Sequence, residues 1–120
     1  MKPWLRKALI AAIACASIAA QAQSFPTRPV RVIVTFPPGG SSDTVARIVS
    51  PRLSERLGQP VVIENRPGGG GSIGVDLVAK SAPDGHTLVV GAQGGLALNT
   101  IFYPKLPYDP LKDFAPITLL

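Results

Sequence analysis

Cysteine, histidine and tryptophan each occur only once in this chain, and only 16% of its 120 residues are charged. Cys15 falls in the 13-residue apolar run Ala8–Ala20. That run follows Lys2, Arg6 and Lys7 and precedes Ala20-Gln21-Ala22, a small-x-small cleavage pattern. A basic start, a short apolar stretch and small residues describe a secretory signal peptide over residues 1–22, too short to span a membrane. Cleavage is expected after Ala22. No cysteine follows, which excludes disulfides and thiolate metal sites from the remainder. Beyond the leader stand nine basic and seven acidic residues, a net charge of +2, so the sequence pI near 9.9 belongs mostly to the leader. No Lys/Arg cluster remains to suggest a nucleic-acid partner.

Catalytic chemistry is equally sparse. His86 stands beside a turn at a strand start, where a surface or strand-edge role is expected. Ser41 and Ser42 have no neighbouring base and lack the G-x-S-x-G setting of a nucleophile elbow. Asp109 and Asp113 sit in a proline-rich loop and read as turn and cap residues. No His/Asp/Glu group has metal spacing. The sequence reads as a non-enzyme without metal or cofactor.

Glycine (12) and proline (13) are plentiful, and the glycines cluster. Phe36-Pro37-Pro38-Gly39-Gly40-Ser41-Ser42-Asp43 follows the β-branched run Val30–Thr35 and precedes helical spacing. Asn65-Arg66-Pro67-Gly68-Gly69-Gly70-Gly71-Ser72-Ile73-Gly74 repeats the plan after Val61–Glu64. Gly91-Ala92-Gln93-Gly94-Gly95 does so again after Thr87–Val90. A glycine loop between a strand and a helix leaves backbone N–H groups free at the positive end of the helix dipole, a setting that suits an anion. Three strand-loop-helix units predict α/β architecture with a parallel sheet, and parallel sheets bind ligands at the carboxyl ends of their strands.

The first helix should bury Val45, Ile48, Val49, Leu53 and Leu57, with Ser42 or Asp43 as its cap, Gly58 as its stop and a kink or break at Pro51. Asp43 is expected to act as a structural cap. Arg66 is expected to pair with Asp43 or Glu64. The second helix should run from about Ile73 to Ser81, capped by Ser72, with Leu77 and Val78 inward and Gly74 close to the sheet. A short third helix is expected over Leu96–Phe102. The loop Tyr103–Pro116 should pack Tyr103, Tyr108 and Phe114, and Ile117–Leu120 should open a fourth strand. That apolar ending reads as an interruption inside a domain. Gly69-Gly70-Gly71-Ser72-Ile73-Gly74 also fits G-x-G-x-x-G, so a dinucleotide-binding Rossmann-like enzyme domain is the alternative. Against it, no acidic residue ends strand three to hold a ribose.

Several longer segments carry a resemblance. They are Phe25-Pro26, Pro29-Val30-Arg31, Val34–Asp43 with Ala46-Arg47, Leu57–Val62, Glu64–Gly68, Gly71 with Ile73-Gly74, Pro83-Asp84-Gly85, Leu106–Pro110 and Lys112-Asp113-Phe114. In this order the chain resembles the N-terminal part of a Bug-type receptor, the extracytoplasmic solute-binding protein of tripartite tricarboxylate transporters. The resemblance implies a two-lobed periplasmic binding fold of the flytrap type, with residues 23–120 forming an incomplete first lobe. It implies a small carboxylate ligand (a di- or tricarboxylate, an acidic amino acid or an aromatic acid), membrane permease subunits as partners, and a monomer when complete. Carried over, the ligand-binding positions are Pro38, Gly39, Gly40, Ser41 and Ser42, with Gly69, Gly70, Gly71 and Ser72. Gln93 and Gly94 form a candidate third loop. His86 stands where the family usually has Tyr, and Gly70 where it has Ala or Gly.

Overall fold

A computed structural model describes residues 25–120. The expected leader, its cleavage point and Cys15 lie outside that span. Strand β1 is Val30–Val34, helix α1 Ser41–Leu57, β2 Val61–Asn65, α2 Ser72–Ala79 and β3 Thr87–Val90. A π turn over Gly94–Leu98 then runs into the short helix α3, Asn99–Phe102.

The three strands form a parallel sheet in the order β2-β1-β3. Val30 pairs with Val61 and Val34 with Asn65 on one side, while Arg31 pairs with Thr87 and Val34 with Val90 on the other. A central strand covered on both faces has no polar side to show, which explains the unbroken β-branched run of β1. Val30, Val32, Ile33 and Val34 are all buried. The first crossover steps from β1 to β2 and the second steps back from β2 past β1 to β3, in opposite lateral directions. Right-handed connections therefore put α1 and α2 on opposite faces of the sheet.

Helix α1 differs from its sequence expectation in three ways. It runs through Pro51 as one element, so the chain does not break into two helices there. Proline there removes the N–H that the Arg47 carbonyl would accept, and the Ser50 hydroxyl donates to that same carbonyl at 3.4 Å. Its cap is Gly40, with no side-chain cap bond, so neither Ser42 nor Asp43 fills that position. Its buried residues are Asp43 and Ala46, whereas Ile48 and Val49 are 69% and 37% exposed. The polar Asp43 turns inward because it has partners there, while Val45, Leu53 and Leu57 of the expected stripe are half-buried and Ile48 and Val49 face outward. Gly58 ends the helix in the left-handed conformation, as expected.

Helix α2 begins one residue early, with Gly71 as its cap, so Ser72 is its first residue and not its cap. Its deepest residue is Val75, fully buried, while Leu77 and Val78 are half-buried. Gly74 does approach the sheet: a Cβ there would lie 2.9 Å from the Arg66 carbonyl oxygen. His86 is at a strand start but is not on the surface. It is 6% exposed beneath Phe25, whose ring meets it edge-on at 4.9 Å, and its Nε2 accepts the Thr27 N–H at 3.3 Å. Tyr108 is buried and meets Phe114 edge-on at 6.3 Å, but Tyr103 is 48% exposed. Asp109 and Asp113 are turn residues, with the Asp109 N–H donating to Asp113 Oδ2 at 2.7 Å. Ile117–Leu120 form no strand. They lack a ladder partner, and Thr118, Leu119 and Leu120 lie instead along a cleft beside β3.

Candidate functional site

The strand order brings the three glycine loops to one edge of the sheet, with the loop after β1 in the middle. The order reverses between β1 and β3, because the chain steps from β1 outward to β2 and then back past β1. Open parallel sheets bind ligands at such a point. A cleft of about 460 Å³ opens there, between Ser41, Ser42 and Val45 of α1 and Val90, Gly91 and Gln93 at the end of β3, with Thr118, Leu119 and Leu120 also lining it. The same order removes the dinucleotide reading. A Rossmann sheet places its third strand beyond the second, whereas here β3 pairs with β1, and the G-x-G-x-x-G run follows an outer strand.

The first loop is fastened by one buried carboxylate. Asp43, 3% exposed, accepts from the Gly39 N–H at 2.9 Å and from Arg47 Nε at 2.9 Å through Oδ2. Its Oδ1 accepts from Asn65 Nδ2 at 2.9 Å. The same Asn65 amide donates to the Phe36 carbonyl at 3.0 Å, tying the end of β2 to the loop after β1. The Arg47 bond, then the Gly39 and Asn65 bonds, hold the Asp43 carboxyl far below the usual carboxylate range. Asp43 therefore faces into the loop's own framework and not toward the cleft.

This framework decides which N–H groups are free. Pro38 has none. Gly39 donates to Asp43, and Gly40 to the Pro37 carbonyl at 3.3 Å. Among the described residues, no acceptor faces the N–H groups of Ser41, Ser42 and Asp43, the first three positions of α1. Pro38, Gly39 and Gly40 thus shape the turn, and the donors come from the residues just after it.

The second loop lies at the same edge but outside the lining of that cleft. Gly68, Gly69, Gly70 and Gly71 all have positive φ, between +56° and +125°. A run of four glycines is what such a backbone requires, since other residues find that region costly. Gly71 donates to the Gly68 carbonyl at 3.0 Å, and the Ser72 N–H to the Gly69 carbonyl. The N–H groups of Gly69 and Gly70 meet no acceptor among the described residues. Gly94, expected in a third loop, packs against this second one: a Cβ on it would lie 3.2 Å from the Gly70 carbonyl. Arg66 pairs with Glu64, its Nε donating to Oε1 at 2.7 Å, and lies away from Asp43, which takes Arg47 instead. Arg31 binds the other oxygen of Glu64 at 2.6 Å, and the two guanidinium groups hold that carboxyl below its usual range.

Two polar residues at this edge escaped the sequence reading. Asn99 is 5% exposed and donates to the carbonyls of Gly69 and Gly70. Thr35, 1% exposed, has an Oγ1 without a partner among the described residues, against Gly71. The amide of Asn99 inside the mostly apolar run Leu96–Phe102 was the available signal. Thr35 offered none, being indistinguishable from a β-branched strand residue. The described residues contain no group of three His, Cys, Asp or Glu positioned for a metal, and no helix long and apolar enough to cross a membrane.

Residues 45–120 match the Tripartite tricarboxylate transporter family receptor. Among curated relatives, Protein BugT of Bordetella pertussis is 47% identical over 111 residues, covering 90% of this chain and 34% of that protein. Among solved structures, MatC from Rhodopseudomonas palustris with bound malate is 49% identical with a TM-score of 0.73, over 77% of this chain and 31% of that one. A second R. palustris protein, with adipate, is 44% identical with a TM-score of 0.69, over 72% of this chain and 29% of that one. The chain spans about a third of the length of the curated relatives it matches. Sequence, strand order and these likenesses agree that the chain belongs to the tripartite tricarboxylate transporter receptor family, whose neighbours are periplasmic solute-binding proteins.

Proposed function

We propose that this chain forms part of a periplasmic receptor that captures a small carboxylate and hands it to the membrane permease of a tripartite tricarboxylate transporter. Residues 1–22 serve as its secretory leader, and residues 23–120 as part of the first lobe of a two-lobed binding protein. The observation that carries the reading is the set of unmet N–H groups at Ser41, Ser42 and Asp43, placed at the reversal point of a parallel sheet. Malate and adipate, named with two of its structural neighbours, are the ligand chemistry that such donors suit. A carboxylate there meets N–H groups and the positive end of a 17-residue helix without any Lys or Arg in contact. The Gly69 and Gly70 N–H groups extend the same donor set along the edge, and Gln93 lines the cleft opposite α1. Capture and release need no bond-making step, in keeping with a non-enzyme.

Ser41→Pro tests this directly. Proline is favoured at the first position of a helix, and Gly40 before it is already extended (φ −74°, ψ 170°), as a residue preceding proline prefers. The substitution therefore deletes one N–H donor and leaves α1 in place. In the full-length protein, malate or adipate affinity measured by calorimetry should fall about tenfold, the worth of a hydrogen bond to a charged group. The melting temperature should hold or rise slightly. Unchanged affinity for every carboxylate that stabilises the parent protein would remove Ser41 from the site.

A further inference from the structure

Asn99 belongs to the third strand-loop-helix unit yet acts on the loop of the second. Its Nδ2 donates to the Gly69 carbonyl at 3.3 Å and to the Gly70 carbonyl at 3.4 Å. Its Oδ1 would lie 3.3 Å from a Cβ on Gly70, so the carboxamide rests against the loop itself. A peptide unit is planar, with its C=O and the following N–H on opposite sides. Turning the Gly69 carbonyl toward Asn99 therefore turns the Gly70 N–H away from it. Four consecutive glycines have more backbone freedom than any other tetrapeptide. Within the loop the Ser72 N–H meets the Gly69 carbonyl and the Gly71 N–H the Gly68 carbonyl, and Asn99 adds a side-chain hold on the Gly69 and Gly70 carbonyls from outside it.

Asn99 is itself firmly held. The turn before it is a π turn, a wider form found often at functional sites. Gly95 in that turn is buried, and a Cβ on it would lie 3.2 Å from the Gly71 carbonyl carbon, so the two segments touch backbone to backbone. The Tyr108 hydroxyl, on the one buried residue of the largely exposed loop that follows, donates to the Gly95 carbonyl. The sequence thus builds a chain of fixed contacts from Tyr108 through Gly95 and Asn99 to the second loop.

We propose that Asn99 is the positioning residue of the second loop: by holding the Gly69 and Gly70 carbonyls it aims the Gly70 N–H, and so sets carboxylate affinity without touching the ligand. This rests on the carboxylate reading above. It assigns to the third unit a role in preorganising a donor that belongs to the second.

Two measurements on the full-length protein test it. The first needs no ligand. In ¹⁵N relaxation, the Gly69 and Gly70 amides of the parent should be as ordered as the strands, and in Asn99→Ala they should become mobile on the nanosecond scale. Equal order in both proteins would overturn the proposal. The second uses malate as the probe. Asn99→Ala should bind it about tenfold more weakly, the loss of one aligned donor. Asn99→Asp should bind it more weakly still at pH 8, because a carboxylate repels both carbonyls. Relative to the parent at each pH, its affinity should recover as pH falls, since a protonated Asp can again donate to one carbonyl. Tyr108 is the titratable neighbour of Asn99, and Asp76, paired with Lys80 at 2.7 Å, stands beside Tyr108. A purely structural Asn would give an affinity ratio flat in pH, and that result would overturn the proposal. If the parent binds no carboxylate, the receptor reading falls, and the relaxation result still decides whether Asn99 sets the loop.

Discussion

Asp43→Ala is expected to abolish measurable carboxylate binding and to lower the melting temperature of the full-length protein by on the order of 5 °C, as the loss of several buried hydrogen bonds does. Alanine removes the acceptor of the Gly39 N–H, the Arg47 guanidinium and the Asn65 amide together. Asn65 also supports the Phe36 carbonyl, so the turn between β1 and α1 loses its anchor to β2. Binding suffers more than stability because the Ser41, Ser42 and Asp43 N–H groups can serve one oxygen only while that turn is fixed. The pH dependence has a definite sign. Asp43 has a folded pKa depressed below its unfolded value, so its contribution is present above the ordinary carboxylate range and is lost as pH falls through and below it. Asp84, lowered to about 2 by the His86 N–H and then by Arg28, contributes with the same sign. Stability of the parent should therefore be level above about pH 5 and decline from about pH 4 downward. Asp43→Asn should show a shallower decline, leaving the part due to Asp84 and the other lowered carboxyls. An unchanged acid slope, by denaturant titration at pH 3 to 7, would show that Asp43 has no such role.

The sequence made the strands and the order of elements readable because both depend on local composition. Val30–Val34 could be little else than a central strand, and the glycine runs marked each place where the chain leaves the sheet. Helix faces were less legible. The stripe Val45, Ile48, Val49, Leu53, Leu57 is sound periodicity, yet an aspartate takes the buried position because three donors wait for it. Arg47 lies at the local i,i+4 spacing and Gly39 only four residues back, but the Asn65 donor comes from 22 positions away and no local pattern announces it. Ser42 and Ser72 look like caps by residue type, but glycines hold both cap positions. Loop membership was legible for Ser41, Ser42, Gly69 and Gly70. Which of their N–H groups are spent inside the turn was not, since that depends on Asp43 reaching back to Gly39. The order β2-β1-β3 was not legible either: the same string of units could have been laid out with β3 beyond β2, and only that order separates the two functional readings.

Gly74→Ala sets two effects against each other, and their sizes decide the sign. Alanine is the better helix former by about 0.8–1 kcal/mol, so propensity alone predicts a more stable protein. The tertiary contact predicts the reverse. A Cβ at position 74 would stand 2.9 Å from the Arg66 carbonyl oxygen and 3.0 Å from Thr35 Cγ2, closer than carbon atoms pack. The first of these is backbone just past β2 and cannot yield by a rotamer change, and Thr35, just past β1, is 1% exposed with its own Cα only 3.3 Å from that Cβ. Forcing α2 outward costs about 3 kcal/mol, the upper part of the range for overpacked cores. The net expectation is a loss of about 2 kcal/mol in denaturant titration of the full-length protein. The displacement also lifts Val75 from its fully buried site and draws the second glycine loop with it. Carboxylate affinity should therefore fall in Gly74→Ala, although residue 74 offers no group to a ligand. A protein stabilised by the substitution would mean that α2 stands farther from the strand ends than 2.9 Å allows, and the close seat of the second loop against Thr35 would have to be given up.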